Sequence, residues 1–245
     1  MIPGLASVTF RQLGWREVIK IAVSCGLEAI EWGGDIHAPP GEIALAREIR
    51  QATENAGLSV LSYGSYYRLG TGGDFGPILA SARALQAGII RVWPGVKGSA
   101  QYDVKEFEQA AADARAIADM AAPHGIAIAF EFHRGTLTDT GESALALLSA
   151  INRGNARTYW QPNPERSHEA NLAALKLVLP HLENLHVHVT ERDKKQLPLE
   201  AVAPLWQDYM QAAKGHARAA LIEFVKGGDP AQCALDAETL MLLCG

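Results

Sequence analysis

Short aliphatic runs alternate with helix-patterned segments along the whole chain. Four of the runs follow a glycine, in the stretches CGLEAIEW (25–32), AGLSVLSY (56–63), AGIIRVWP (87–94) and HGIAIAFE (124–131). These glycines, Gly26, Gly57, Gly88 and Gly125, are spaced 31, 31 and 37 residues apart. A glycine just past a helix can adopt the left-handed conformation that ends the helix. Each repeat therefore predicts a helix, a terminating glycine and a buried strand.

The second half of the chain keeps the same alternation. Further strands are predicted at 5–10, 157–161, 184–190 and 219–224. Helices are predicted at 15–24, 42–56, 77–87, 104–122, 142–151, 169–179 and 199–213, and a last helix begins after Asp229 and Pro230. Eight strands alternating with eight helices predict parallel strands. Because no linker or change of composition separates the units, we expect one α/β domain over residues 1–245, a closed (β/α)8 TIM barrel rather than an open sheet.

The stretch IAIAFEFH at 126–133 gives the first indication of a site. In an extended strand the side chains alternate between two faces. One face carries four large apolar residues, and the other carries Ala127, Ala129, Glu131 and His133. Small residues followed by a carboxylate are typical of a barrel strand whose carboxyl end holds the chemistry. The alternatives are that Glu131 meets only water or pairs with Arg134.

Polar residues also stand at the ends of the last three predicted strands, where Gln161, His188 and Glu223 lie. Gln161 could instead be a hydrogen-bonded plug inside the barrel. In the run LHVHV, His186 and His188 share one face; His188 is nearer the carboxyl end and is the better metal candidate, whereas His186 is expected to be a hydrogen-bonded core histidine. Glu223 lies between apolar neighbours, where an unpaired carboxylate is costly. A divalent cation would hold such like charges together.

These motifs resemble those of the xylose-isomerase-like TIM barrels, which include sugar isomerases, epimerases and the endonuclease IV branch. The resemblance covers nearly the whole chain and rests on IEW (30–32), FEFH (130–133), HVHV (186–189) and IEF (222–224). It implies one divalent ion, Mn, Co, Mg or Zn, held by Glu131, Gln161, His188 and Glu223. The ketose-epimerase branch has Asp at the position of Gln161, whose neutral amide is a weaker ligand; Asn163 is a possible substitute.

The resemblance also implies a sugar isomerase or epimerase that acts on an open-chain ketose or aldose. One of Glu131 and Glu223 would remove the proton next to the carbonyl and the other would return it, through a cis-enediolate. Both carboxylates are then catalytic residues as well as metal ligands.

Residues around the expected mouth are candidates for binding the substrate: His37, Tyr66, Arg91, Trp93, His133, His168 and Lys194. Tyr66 and Trp93 suit stacking on a sugar face, although simple packing is the alternative. By resemblance, His168 and Lys194 fall in regions that hold substrate hydroxyl groups. In GGDP, Asp229 would occupy the helix start and repel an anion, so we expect an unphosphorylated substrate.

Composition restricts the partners. The net charge of −5 and the pI near 5.9 give no electrostatic support for nucleic acid or a membrane surface. The three cysteines lack metal-ligand spacing, which suits a reducing compartment. No signal-peptide pattern or membrane-length apolar run is evident. We therefore expect a cytoplasmic protein that binds a small sugar, with a homo-oligomer left open.

The sequence leaves two other functions open and disfavours a third. A metal-dependent dehydratase acting on a cyclic hydroxy-ketone would use the same proton abstraction. The nuclease branch is disfavoured, because it needs many more ligands than the histidines here supply and an acidic pI does not suit DNA. The third is a barrel that has lost the metal at Gln161 and binds a ligand without turnover.

Overall fold

The computed structural model has eight parallel strands closed into a barrel in sequence order, with the eighth strand paired to the first. It describes residues 1–188 and 196–245. The strands are β1 Ile2–Ala6, β2 Ala29–Gly33, β3 Ser59–Arg68, β4 Ile89–Trp93, β5 Ala127–Glu131, β6 Ala156–Trp160, β7 Leu182–Val187 and β8 Ala219–Ile222. The helices are α1 Trp15–Ser24, α2 Ile43–Asn55, α3 Gly76–Leu85, α4 Val104–Ala121, α5 Gly141–Ile151, α6 His168–Val178, α7 Ala203–Ala213 and α8 Pro230–Cys244. The predicted (β/α)8 architecture is confirmed.

Several predicted boundaries are wrong by a few residues. The first strand ends at Ala6, because Ser7–Phe10 turn into a 3-10 helix. In contrast, β3 continues to Arg68 through a register irregularity against β4, so Tyr66 belongs to a strand instead of a loop. Strands β7 and β8 end at Val187 and Ile222, so that His188 and Glu223 come just after their strands.

The glycine repeat predicts most of the helix ends. Gly26, Gly57 and Gly125 have positive φ values of 69°, 80° and 67°. Gly88 does not; after α3 the left-handed residue is Gln86, with φ 55°. The helix therefore ends two residues earlier than the repeat implies, and Gly88 serves as ordinary connecting backbone.

The interior of the barrel changes from apolar to charged along the strands. A buried apolar cluster fills the end near the strand starts and comprises Ala29, Leu61, Ile89, Ala129, Tyr159, Ala219 and Leu221. Because side chains alternate, the next inward position on each strand lies two residues later. Five of these next positions are polar or charged: Glu31, Arg91, Glu131, Gln161 and Glu223. The apolar floor is therefore followed by a polar layer under the mouth of the barrel.

The outer face of the strands packs against the ring of helices in one large apolar cluster. The last helix, α8, starts as predicted, since the Asp229 carboxylate accepts a hydrogen bond of 2.9 Å from the backbone N–H of Ala231. Within the described ranges, the helices are all too short or too polar to span a bilayer.

Candidate active site

A cavity of about 290 Å³ opens at the carboxyl ends of the strands. Eight of the residues predicted from the sequence line it: Tyr66, Arg91, Trp93, Glu131, His133, Gln161, His188 and Glu223. Active sites of (β/α)8 barrels lie at this end. The strand-end residues that the sequence singles out are thus brought together around one space.

Two predicted substrate-binding residues lie elsewhere. His37 is buried, with Nδ1 3.0 Å from the Ser7 hydroxyl and Nε2 3.1 Å from the carbonyl of Leu13. Both ring nitrogens are thus committed to holding the loop after β1, and the substrate-binding prediction for His37 is corrected to a structural role. His168 lines a neighbouring cavity of about 240 Å³, where its ring contacts Asp208 and Tyr209. Lys194 lies outside the described residues.

The groups closest to a metal-ligand arrangement are Glu131, His186 and Glu223, whose ligand atoms all lie within 4.8 Å of one another. The histidine differs from the one favoured by the sequence. Nδ1 of the buried His186 is 3.3 Å from Oε2 of Glu223, whereas Nδ1 of His188 is 3.8 Å from the same oxygen. His188 follows the end of β7 and keeps slight exposure. The deeper histidine therefore joins the carboxylates, because the long Glu223 side chain reaches towards it.

A buried ion-pair network supports this cluster. Arg91 is 1% exposed and lies between two carboxylates: its Nε is 2.9 Å from Oε1 of Glu31, and its Nη1 contacts Glu131. Glu31 also accepts a hydrogen bond of 2.9 Å from the Ser62 hydroxyl. The sequence predicts that Arg91 binds substrate. In the structure its guanidinium is instead paired with two protein carboxylates at the base of the cavity. Glu31 was missed as a site residue, although its inward position two residues after Ala29 was readable from the sequence.

The electrostatics of the cluster favour a positive charge among the carboxylates. Burial by itself would raise the pKa of Glu31, but Arg91 and His186 hold that pKa well below its usual value. Burial likewise raises the pKa of Glu223, and the nearby His186 outweighs this and lowers it to about 2. Burial lowers the pKa of His186, but Glu223 and Glu31 together raise it to about 10. Both carboxyl groups are therefore anionic at neutral pH.

His188 behaves in the opposite way. Burial lowers its pKa to about 4, and the attraction of Glu223 does not offset this loss of hydration. The charges of His186, His133 and Arg134 contribute to this lowering of the pKa. His188 is therefore a neutral imidazole on the cavity wall, able to accept or donate a hydrogen bond.

The residues present fit a divalent ion. Nε2 of His186 lies 3.4 Å from Oε1 of Glu31, while Nδ1 faces Glu223. A ligating histidine usually gives its second N–H to a carboxylate, and Glu31 is placed to accept it. Neither ring nitrogen of His186, nor the buried Oε1 of Gln161, has a hydrogen-bond partner within residues 1–188 and 196–245. The cluster contains three carboxylates, Glu31, Glu131 and Glu223, and one guanidinium, Arg91. With a neutral His186 its net charge is −2, which one divalent ion balances.

Gln161 and Asn163 have different surroundings. The buried Gln161 donates from Nε2 to Oε1 of Glu131 at 3.3 Å, so it borders the cluster. Asn163 uses its side-chain oxygen to accept the backbone N–H of Glu165 at 2.9 Å, within the loop that follows β6. Its oxygen is thus already engaged, which makes Asn163 a poor substitute ligand.

A model of the xylose isomerase-like TIM barrel family matches residues 19–198. The chain belongs to this family. A curated relative in Bacillus anthracis, 3-dehydroshikimate dehydratase, is 25% identical over 166 residues, which cover 62% of this chain and 59% of that protein. The chain thus spans about three fifths of the length of the curated relative that it matches.

Solved structures share the whole fold of this family. The probable 3-DHS dehydratase of Bacillus anthracis has a TM-score of 0.77 at 20% identity and covers 99% of this chain and 98% of its own. D-psicose 3-epimerase, solved in the presence of D-fructose, has a TM-score of 0.72 at 16% identity over the full length of both chains. The IolI protein, solved with a zinc atom, has a TM-score of 0.77 at 15% identity and covers 100% of this chain and 98% of its own. At such identities these likenesses establish the barrel fold alone.

Proposed function

We propose that this chain is a metal-dependent isomerase or epimerase that moves a proton at the carbon next to a carbonyl in a small hydroxylated substrate. The observation that carries the proposal is the convergence of Glu131, His186 and Glu223 under one cavity. Two carboxylates and an imidazole in a buried position are a typical ligand set for a catalytic divalent ion. The open side of the cluster faces the cavity, where a substrate can enter.

The ion would be held by Glu131, His186 and Glu223, with Gln161 as a further oxygen donor. When bound, a divalent ion supplies Lewis acidity that favours loss of a proton next to a carbonyl. The same observation supports Mn, Co, Mg and Zn, because oxygen and imidazole ligands suit each of them.

The chain's own carboxylates move the proton. Glu223 has a pKa of about 2 despite its burial, so its side chain is a carboxylate at neutral pH. Glu131 is oriented by two donors, the Arg91 guanidinium and the Gln161 amide. Two carboxylates that reach the same small space allow one to remove the proton and the other to return it. Return to the same carbon from the other face gives epimerisation, and return to the neighbouring carbon gives isomerisation.

The cavity suits a small molecule. Its volume, about 290 Å³, lies at the lower end of the range of roughly 300–1,000 Å³ for ligand pockets. Tyr66 and Trp93 form one wall, with ring centroids 6.3 Å apart, and His133 packs edge-on against Trp93 at 4.9 Å. Aromatic faces of this kind can stack on the apolar face of a sugar while the polar layer meets its hydroxyl groups.

Proton NMR in D2O tests the proposal. The full chain with Mn²⁺ is incubated with D-fructose, D-psicose and further ketoses and aldoses. We expect at least one substrate to lose its C–H signal next to the carbonyl and to yield its epimer or isomer, and we expect EDTA to stop the exchange. If the metal-loaded protein catalyses no exchange across the panel, the proposal is wrong.

The 25% identity to 3-dehydroshikimate dehydratase supports a second candidate, a dehydratase that acts on a hydroxy-ketone. The first step would be the same proton abstraction, followed by departure of a hydroxyl group from the next carbon. Incubation with 3-dehydroshikimate distinguishes the two. Water loss gives a conjugated product with a new ultraviolet absorbance, whereas an epimerase gives deuterium uptake with the hydroxyl group retained.

A further inference from the structure

The charged residues that line the cavity form an inner and an outer group. The inner group consists of Arg91, Glu131 and Glu223, which are buried and engaged with one another or with His186. The outer group consists of two arginines at the mouth, Arg11 after β1 and Arg134 after β5. The inner carboxylates contact Arg91 and His186 deeper in the barrel, so a ligand that enters the cavity first meets the two guanidinium groups.

Arg134 is held loosely by the protein. Its Nη1 is 2.9 Å from Oε1 of Glu165, and the Glu165 side chain is 62% exposed. An exposed pair of this kind contributes little, because water screens it. A guanidinium group carries five N–H donors in a planar fork, and the contact with Glu165 uses one of them. Arg134 can therefore turn its fork to a stronger partner without a large loss.

Arg11 is held more firmly. Its guanidinium contacts both the Asp35 carboxylate and the Tyr66 hydroxyl, and it lies over the Tyr66 ring at 5.6 Å. Arg11 and Tyr66 together form part of the mouth on the side of β1 and β3. In a closed barrel of eight strands, β5 lies opposite β1, so Arg11 and Arg134 follow strands on opposite sides of the barrel.

The loop that carries Arg134 is held in place by its neighbour. His133 donates from Nδ1 to the carbonyl of Arg134 at 2.6 Å, which fixes the orientation of the loop after β5. Arg134 lines the same cavity as His188, Glu131 and Glu223. Arg134 therefore acts on the same space as the proton-transfer groups.

We propose that the substrate is an acid, a hydroxylated oxo-carboxylate whose carboxylate group is bound by Arg134 at the mouth of the cavity. This inference rests on the proposed function, because it names the substrate class of that same site. The planar guanidinium matches a carboxylate through two parallel N–H···O bonds. A phosphate would be held by backbone N–H groups at a helix start, and at α8 the Asp229 side chain already accepts from the first turn. The anchored carboxylate would direct the carbon next to the carbonyl towards Glu131 and Glu223.

A matched set of ligands tests the inference. D-Fructose, 2-keto-D-gluconate and D-fructose 1-phosphate share one skeleton and differ at the first carbon. This carbon belongs to a hydroxymethyl group, a carboxylate or a phosphorylated hydroxymethyl group, respectively. Each is titrated calorimetrically into the full chain with Mn²⁺, and each is incubated in D2O for exchange of the proton at the third carbon. We expect the affinity for 2-keto-D-gluconate to be at least about tenfold higher than that for D-fructose, since hydrogen bonds to charged groups contribute about 1.5–3 kcal/mol.

Variants assign the effect to one residue. In Arg134→Gln, the affinity for 2-keto-D-gluconate should fall at least about tenfold more than the affinity for D-fructose, by the same estimate. Arg153→Gln is the matched control, because Arg153 forms an exposed ion pair with Asp119 at 2.6 Å outside the cavity lining. This control should bind all three ligands as the parent chain does.

The outcomes separate the two proposals. Preference for D-fructose, tighter binding of the phosphate ester, or an equal loss for all three ligands in Arg134→Gln would each overturn the assignment of a carboxylate. Exchange with a neutral ketose alone would overturn it as well and leave the isomerase proposal standing. Arg134-dependent binding of 2-keto-D-gluconate without exchange in any substrate would support the carboxylate site and contradict the proposed reaction.

Discussion

Glu31 and Arg91 form a buried ion pair in the space that a side chain at position 64 would occupy. The two residues lie on β2 and β4, on either side of β3, which carries Gly64. A Cβ atom on Gly64 would lie 2.7 Å from Nη2 of Arg91 and 2.9 Å from Oε1 of Glu31. Because the backbone at Gly64 does not have a positive φ, the need for glycine is steric. The absence of a side chain thus lets the pair bridge two strands that are not neighbours.

Gly64→Ala is therefore expected to destabilise the barrel and to disturb the polar layer. The added methyl group must displace a buried charged side chain, and overpacking of this kind costs about 1–3 kcal/mol. Chemical denaturation measures the loss. Gly154→Ala is the control, because a Cβ atom there would meet no heavy atom within 4 Å and should change stability little. Equal stability of the two variants would mean that the ion pair does not need this space.

The lowered pKa of Glu31 predicts a change in the acid sensitivity of folding. Although burial raises it, Arg91 and His186 bring this pKa below the ordinary value of 4.5. The stabilisation by Glu31 is then fully present above about pH 4.5 and is lost as the pH falls towards the folded-state pKa. In the parent chain, titration of Glu31 lowers the free energy of unfolding by up to about 1.4 kcal/mol per pH unit in this range. Glu31→Gln should remove this contribution to the loss of stability in acid. Urea unfolding between pH 3 and pH 6 measures the free energy of unfolding of both proteins. The same dependence on pH in the parent chain and in Glu31→Gln would contradict the prediction.

The metal content of variants at His186 and His188 shows which histidine is the ligand. His186 lies in the group of candidate ligands and faces Glu31 behind it, whereas His188 lies on the cavity wall. We expect His186→Ala to bind Mn²⁺ or Zn²⁺ at well under one equivalent, measured by elemental analysis of chelator-free protein. His188→Ala should retain the metal. Full occupancy in His186→Ala with loss in His188→Ala would restore the assignment that the sequence alone favours.

Glu131→Gln and Glu223→Gln should each lower turnover about 10²–10⁴-fold, the usual contribution of a positioned acid or base. The amide keeps the size of each side chain but can neither accept the proton nor carry the negative charge. Solvent deuterium exchange into the best substrate of the panel measures the loss, and circular dichroism checks that the fold persists. Glu48→Gln, which removes an exposed partner of Arg16, is the control and should keep full activity. Activity that survives in both Glu131→Gln and Glu223→Gln would end the two-carboxylate proposal.

The sequence predicts the fold and much of the cavity lining for physical reasons. Alternation along β5 and β8 places Glu131 and Glu223 inside the barrel, since an inward carboxylate follows an inward apolar residue two positions earlier. Alternation along the sequence also predicts that His186 and His188 face inward. Which of the two approaches Glu223 depends on the register between β7 and β8 and on the length of the Glu223 side chain. His186 is level with Leu221 in the ladder, and the length of the Glu223 side chain closes the gap.

The role of Arg91 could not be inferred in the same way. Its pairing with Glu31 requires two strands separated by a third, and the space that permits it comes from Gly64 on the strand between them. No local pattern in one sequence encodes such a contact. The role of His37 could not be inferred for a related reason. One partner, Ser7, lies in a 3-10 helix where the sequence predicts a strand, and the other, Leu13, lies in the loop that follows.

The separation of the apolar floor from the polar layer has a consequence for engineering. Residues such as Leu221 and Ile89 fill the floor and lie beneath the groups that the reaction would use. Substitutions at sites that share no contacts usually act additively. A library directed at floor residues that do not contact the polar layer could therefore raise heat tolerance while a second library around Arg134 redirects selectivity, and the best variants of the two could be combined in one chain.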